Sequence, residues 1–142
     1  MNPVNAAVPV VSAIVLAAGA STRMGRPKQL LPWGGVPMVR HVAHTLASSM
    51  AGEVVVVVGC RADAVARAVL EDEHGAHRQG HGQERRGDQG RAAPIRVAVN
   101  AAWEDGMAAS VSSGVRAATA DAEAFLIALS DHPAVDVDVI NA

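Results

Sequence analysis

Two cations and one carboxylate stand where a polyphosphate could use them. Arg23 and Lys28 fall inside the small-residue run Leu16-Ala17-Ala18-Gly19-Ala20-Ser21-Thr22-Arg23-Met24-Gly25-Arg26-Pro27-Lys28. Gly19 and Gly25 let such a loop turn successive N–H groups toward one point, which binds an anion without a side chain. Asp131 follows the apolar run Phe125-Leu126-Ile127-Ala128-Leu129 and precedes His132-Pro133. An acidic residue at the carboxyl end of a parallel strand points into the crevice where open α/β sheets bind ligands. Mg²⁺ is usually held by one or two carboxylates together with substrate phosphates and water, so one Asp suffices as its anchor. The chemistry implied is phosphate binding beside a divalent cation.

The loop is neither common phosphate motif. A P-loop Lys is followed by Ser or Thr, whereas Lys28 is followed by Gln29; no G-x-G-x-x-G spacing occurs in the loop. Glycine-rich strand-to-helix turns are common in α/β proteins, but that alone does not explain Arg23, Met24-Gly25 and Pro27-Lys28 standing together.

The run resembles the L-A-[AG]-G-x-[SG]-x-R-M-G-x-x-K signature of the MobA-like nucleotidyltransferases. Its continuation Pro27-Lys28-Gln29-Leu30-Leu31-Pro32 is most similar to the molybdenum cofactor cytidylyltransferase branch. Two further stretches resemble that family. Asn100 to Gly114 matches N-x-x-W-x-x-G-M-x-x-S-x-x-x-G at every named position, and Ser130-Asp131-His132-Pro133 is similar to [GS]-D-x-P. Relatives usually carry Gly and Gln where this chain has Ser130 and His132.

The resemblance implies a three-layer, Rossmann-like fold around a mainly parallel sheet, and transfer of a nucleoside monophosphate with release of pyrophosphate. The favoured form is CMP from CTP passed to molybdopterin. Arg23, Lys28 and Asp131 would be catalytic, with Asp131 on Mg²⁺. Leu16, Ala17, Ala18, Gly19, Ser21, Gly25, Asn100 and Ser110 would contact the nucleotide. Alternatives are a guanylyltransferase or sugar-phosphate nucleotidyltransferase, and a non-catalytic nucleotide- or cofactor-binding module. Relatives continue for further strands and a second acidic motif, so the resemblance also implies that this sequence carries the nucleotide half of a larger site.

Composition agrees. The chain has 142 residues, half of them apolar, which matches one domain, 1–142. Its formal charge of −2 and its few aromatic residues, Trp33, Trp103 and Phe125, argue against a nucleic-acid surface. One cysteine, Cys60, allows no intramolecular disulfide and fits a reducing cytoplasm. No run reaches the roughly 20 apolar residues that span a bilayer, and the N-terminal Val8–Leu16 stretch lacks a basic leader and contains Pro9.

The elements that must position these groups alternate. Strands are expected at 13–16, 54–58, 95–99 and 125–129. Helices are expected at 38–50, 61–70 and 106–120, with a helix opening after 137. Five consecutive valines, Val54 to Val58, mark a strand buried on both faces. Paired Gly34-Gly35 between Pro32 and Pro37 marks a tight turn. Glu73 to Ala93 holds five Gly, four Arg and three His and nothing apolar larger than Ala, which predicts a solvated loop over a metal site at His74, His77 and His81. Phe125 to Leu129 is expected to carry an uncovered flank, favouring a homo-oligomer, and the resemblance implies a molybdoenzyme as the other possible partner.

Overall fold

The computed structural model describes residues 8–20, 27–71 and 92–142. Four parallel strands form one sheet: β1 (Val11–Ala17), β4 (Glu53–Val58), β5 (Ile95–Val99) and β6 (Ala124–Leu129), in the order β5-β4-β1-β6. A small antiparallel hairpin, β2 (Pro32–Trp33) and β3 (Val36–Pro37), turns through Gly34 and Gly35. Both glycines have positive φ, 58° and 88°, which the mirror-image hairpin turns require. The helices are α1 (Met38–Ala47), α2 (Ala62–Leu70), α3 (Met107–Ala117) and α4 (Val137–Asn141).

The valine run explains the centre of the sheet. β4 lies between β1 and β5, and Glu53 to Val58 are all buried. Alternate residues feed two cores. Val15, Val54, Val56 and Val58 face α1 and α2 with Val42, Leu46 and Val65; Ile14, Leu16, Val55 and Val57 face α3. Helices thus cover both faces, as the near-continuous apolar strands require.

The strand order reverses once. The chain steps from β1 outward to β4 and β5, then returns past β1 to β6. Right-handed crossovers running in opposite directions put their helices on opposite faces. That reversal opens a crevice at the carboxyl ends of β1 and β6.

Close packing of α3 depends on Gly114. A Cβ there would collide with the Ile14 side chain and lie 3.0 Å from Val57 Cγ2.

Two helix ends fall short of the apolar periodicity. The spacing predicts α1 through Met50, but it ends at Ala47. Ser48 N–H is shared between the carbonyls of His44 and Thr45, and Ser49 Oγ donates to Leu46 O, so local serine bonding replaces the next helical turn. α3 ends at Ala117, where Ala118 is extended. β6 is an edge strand with Phe125 and Ile127 exposed. Most of the Glu73–Ala93 segment, including His74, His77 and His81, lies outside the described residues. Among the described residues, no helix is long and apolar enough to cross a membrane.

Candidate functional site

A cleft of about 440 Å³ occupies the crevice at the β1–β6 junction. Its floor is the end of β1 and the loop that follows, Leu16 to Ala20, and one wall is Leu129, Ser130 and Asp131 after β6. Lys28 and Gln29, on the short 3-10 turn Lys28–Leu30, supply a second wall. Glu104, Gly106, Met107 and Ser110 close the side where α3 begins.

The sequence explains each placement. β1 ends where its apolar run meets Gly19, so the chain leaves the sheet into the crevice. Cys60 N–H donates to Ala18 O at 2.9 Å, tying that exit to the residue that follows β4's tip. Ser130 N–H donates to Leu16 O at 3.3 Å, so Asp131 is the first residue beyond the β1–β6 ladder. Pro133 then limits His132 to extended backbone and prevents the strand from continuing.

Asp131 has a half-exposed side chain. Its nearest ionisable neighbour among the described residues is the His132 ring, whose Nε2 lies 3.9 Å away. Lys28 and Asp131 line the same cavity from separate loops, a cation and an anion facing one volume.

α3 enters the site through Gly106, whose φ of 105° is reserved to glycine, and no side chain caps the helix. Its positive end therefore opens beside the cleft. The preceding turn is wedged in place by Trp103. A Cβ on Gly59 would fall 2.5 Å from Trp103 Cβ and 3.0 Å from Ala18 Cβ, so a glycine is required there.

Leu16, Ala17, Ala18, Gly19, Lys28, Ser110 and Asp131 line one cavity. Asn100 stands behind that surface. Its side chain is buried, accepts from Ala102 N–H at 3.0 Å and donates to Ser110 Oγ at 3.1 Å. Asn100 orients Ser110, which is the residue lining the cleft. Ser21, Arg23 and Gly25 lie outside the described residues.

Two side chains at the site escape motif reading. Gln29 is buried, and its amide donates to the carbonyls of Ala17 and Gly19, both at 3.3 Å, clamping the start of the loop. A polar amide inside Gln29-Leu30-Leu31 was the available signal. Glu104 brings a carboxylate to the α3 side, which places the phosphate-friendly part of the cleft nearer Lys28 and Gly19.

Asp131 is the cleft residue that could hold a hard divalent cation. Asp131 offers carboxylate oxygen at a half-exposed position, and no cluster of three or more His, Cys, Asp or Glu that could hold a metal occurs among the described residues. One carboxylate completed by water and phosphate oxygens is how Mg²⁺ is commonly bound.

Comparison with known proteins agrees with this geometry. Residues 13–142 match the MobA-like NTP transferase domain family. The chain is 36% identical over 136 residues to nicotine blue oxidoreductase from Paenarthrobacter nicotinovorans, covering 94% of this chain and 55% of that protein. It is 50% identical over 64 residues to bifunctional protein GlmU from Brevibacillus brevis, covering 44% of this chain and 14% of that protein. A nucleotidyl transferase structure from Methanothermobacter thermautotroptrophicus superposes with a TM-score of 0.66 at 31% identity, over 91% of this chain and 54% of that one. The chain thus spans about half the length of the oxidoreductase and of the nucleotidyl transferase, and a smaller part of GlmU. With a family match that covers nearly all of its sequence and a fold shared with a nucleotidyl transferase, the chain belongs to the MobA-like NTP transferase domain family.

Proposed function

We propose that this chain builds the nucleotide side of a cytoplasmic nucleotidyltransferase that passes CMP from CTP to a phosphate monoester, with molybdopterin as the favoured acceptor. The observation that carries the reading is Lys28 and Asp131 facing one cleft at the point where the strand order reverses. In the reaction, an acceptor phosphate oxygen forms a bond to the α-phosphorus, the bond from that phosphorus to the bridging oxygen breaks, and pyrophosphate leaves. Such chemistry needs in-line positioning and charge neutralisation more than covalent help.

Lys28 and Arg23 offset charge on the departing phosphates. Loop N–H groups from Ala18 to Gly25, with Leu16, Ala17, Gly19 and Ser21, cradle the triphosphate. Ser110, oriented by Asn100, meets the nucleotide from the α3 side. Asp131 is the residue that would hold Mg²⁺, which when bound supplies Lewis-acid neutralisation of phosphate charge.

The test is equilibrium binding of CTP, GTP, UTP and ATP with and without Mg²⁺, followed by pyrophosphate release with molybdopterin or sugar phosphates as acceptor. CTP should bind most tightly, and its affinity should rise with the metal. A protein that binds none of the four refutes the reading. Preference for GTP selects a guanylyltransferase instead, and turnover with a sugar phosphate selects a sugar-phosphate nucleotidyltransferase. Binding without turnover makes the chain a nucleotide-binding module.

A second reading comes from the 36% identity to a protein named as an oxidoreductase. A phosphate-binding cleft also suits the pyrophosphate of a dinucleotide, so NADPH and FAD belong in the same panel. Self-association through the β6 edge, or docking on a molybdoenzyme, completes the proposal and is measured by light scattering.

A further inference from the structure

The loop that carries Asp131 has a tether from an unexpected direction. After Ser130 the chain gains little support from the sheet: His132 N–H bonds back to Leu129 O at 3.2 Å, and Asp136 then caps α4 by accepting from Val139 N–H. Between them, Pro133 has no N–H to give. Among the described residues, the hydrogen bond that reaches 131–135 from another element is His41 Nε2 to Pro133 O, at 3.1 Å across 92 residues of sequence. A carbonyl oxygen only accepts, so Nε2 carries the proton.

His41 is itself firmly placed. It sits in α1, flanked by buried Val39, Val42 and Ala43, and its ring meets Trp33 of the hairpin with centroids 6.5 Å apart and planes tilted by 51°. The start of α1 is also tied to the Lys28 turn. Met38 N–H donates to Leu31 O at 2.8 Å, and Leu31 N–H donates to Lys28 O at 3.1 Å. One end of one helix therefore holds the turn bearing Lys28 and, through His41, the loop bearing Asp131.

We propose that His41 is a positioning residue: by holding the Pro133 carbonyl it sets where Asp131 stands relative to Lys28 across the cleft. This rests on the functional reading above for the role of Asp131, while the tether itself is independent of that reading. Outer partners that orient a metal-binding carboxylate commonly change metal affinity or activity by about 10–100-fold when removed.

The experiment uses the full chain and two variants. His41→Phe keeps a ring against Trp33 and removes the donor; His41→Gln restores a donor near the Nε2 position. Amide hydrogen exchange without ligand is read at His132 and Ala134. Calorimetry then measures CTP binding without metal, and the Mg²⁺ concentration needed for half-saturation with CTP present. Expected for His41→Phe are faster exchange at both amides, about tenfold more Mg²⁺ for half-saturation, and unchanged metal-free CTP binding, with His41→Gln restoring the first two. Unchanged exchange and unchanged Mg²⁺ demand in His41→Phe overturn the inference. So does a common loss of melting temperature and metal-free CTP binding that His41→Gln leaves uncorrected, because that is the signature of a scaffold contact. A wild-type protein that binds no CTP refutes the functional reading, and the exchange data still decide whether His41 holds the loop.

Discussion

The two ends of the sheet use carboxylates in opposite ways. At the amino end Glu53 is buried, and each of its oxygens is engaged. Ser12 Oγ and Thr119 N–H donate to one at 2.7 and 2.6 Å, and Arg96 donates to the other at 2.6 Å. Arg96 also reaches Ala117 O at 2.8 Å, so β1, β4, β5 and the exit of α3 are drawn to one group. At the carboxyl end Asp131 is half exposed, with the His132 ring 3.9 Å away. A carboxylate with all its partners inside the protein is architecture. One whose lone pairs face a cleft beside Lys28 is available to something that binds there.

The sharpest way to break this contrast is to remove one charge from each end. Asp131→Asn is expected to lower metal-dependent turnover by about 10²-fold, the scale on which single charge-stabilising groups act, with the melting temperature unchanged. Lys28→Ala should weaken triphosphate binding about tenfold or more, since a charge-assisted contact contributes about 1.5–3 kcal/mol. Calorimetry beside thermal denaturation checks both. If either variant loses melting temperature while the protein that remains folded keeps its ligand affinity, the cleft groups are structural after all.

Glu53→Ala should do the reverse, leaving nucleotide affinity in the surviving folded protein intact and costing stability. It strands the Ser12 hydroxyl, which is fully buried, while the exposed Thr119 can turn its N–H to water. Each buried donor left without a partner costs roughly 1–3 kcal/mol. The exposed Arg96 guanidinium turns to water and adds little. Chemical denaturation of the variant gives the number, and a loss below about 0.5 kcal/mol would show that the cluster is ornamental.

A smaller effect is expected at Gly114. Its added methyl in Gly114→Ala presses on Ile14 and Val57, an overpacking worth about 1–3 kcal/mol. Replacing a mid-helix glycine returns roughly 0.5–1 kcal/mol. The net should be a destabilisation near 1 kcal/mol. A stabilised variant would mean that α3 slides freely over the sheet.

The mildest signature is pH. Burial pushes the Glu53 carboxyl upward, but the bonds from Ser12, Thr119 N–H and Arg96 outweigh it and hold the group below its ordinary value of 4.5. A depressed carboxyl contributes stability that is complete above the unfolded value and lost as pH falls through the folded one. Glu53→Gln should therefore flatten the acid limb of the stability curve below about pH 4.5, and a limb identical to wild type would assign the acid sensitivity elsewhere.

Much of this was legible from residue order because it depends on local rules. The apolar runs, the valine strand and the paired glycines of the hairpin each state their conformation within a few neighbours. Asp131 could be placed at a strand end for the same reason. The family motifs added which junctions matter. Helix ends were less legible, since Ser48 and Ser49 compete for the backbone in ways that apolar spacing does not register.

Only the tertiary structure decided which partners those residues meet. Spacing alone does not show that Ser12 and Glu53, 41 residues apart, become side-by-side neighbours on parallel strands. It could not turn Asn100 from a contact surface into the support behind Ser110, or carry His41 across to Pro133. These outcomes depend on strand order and on which face each crossover helix covers. Both are set by long-range packing, in which residues distant in sequence meet through the same few ångströms of core.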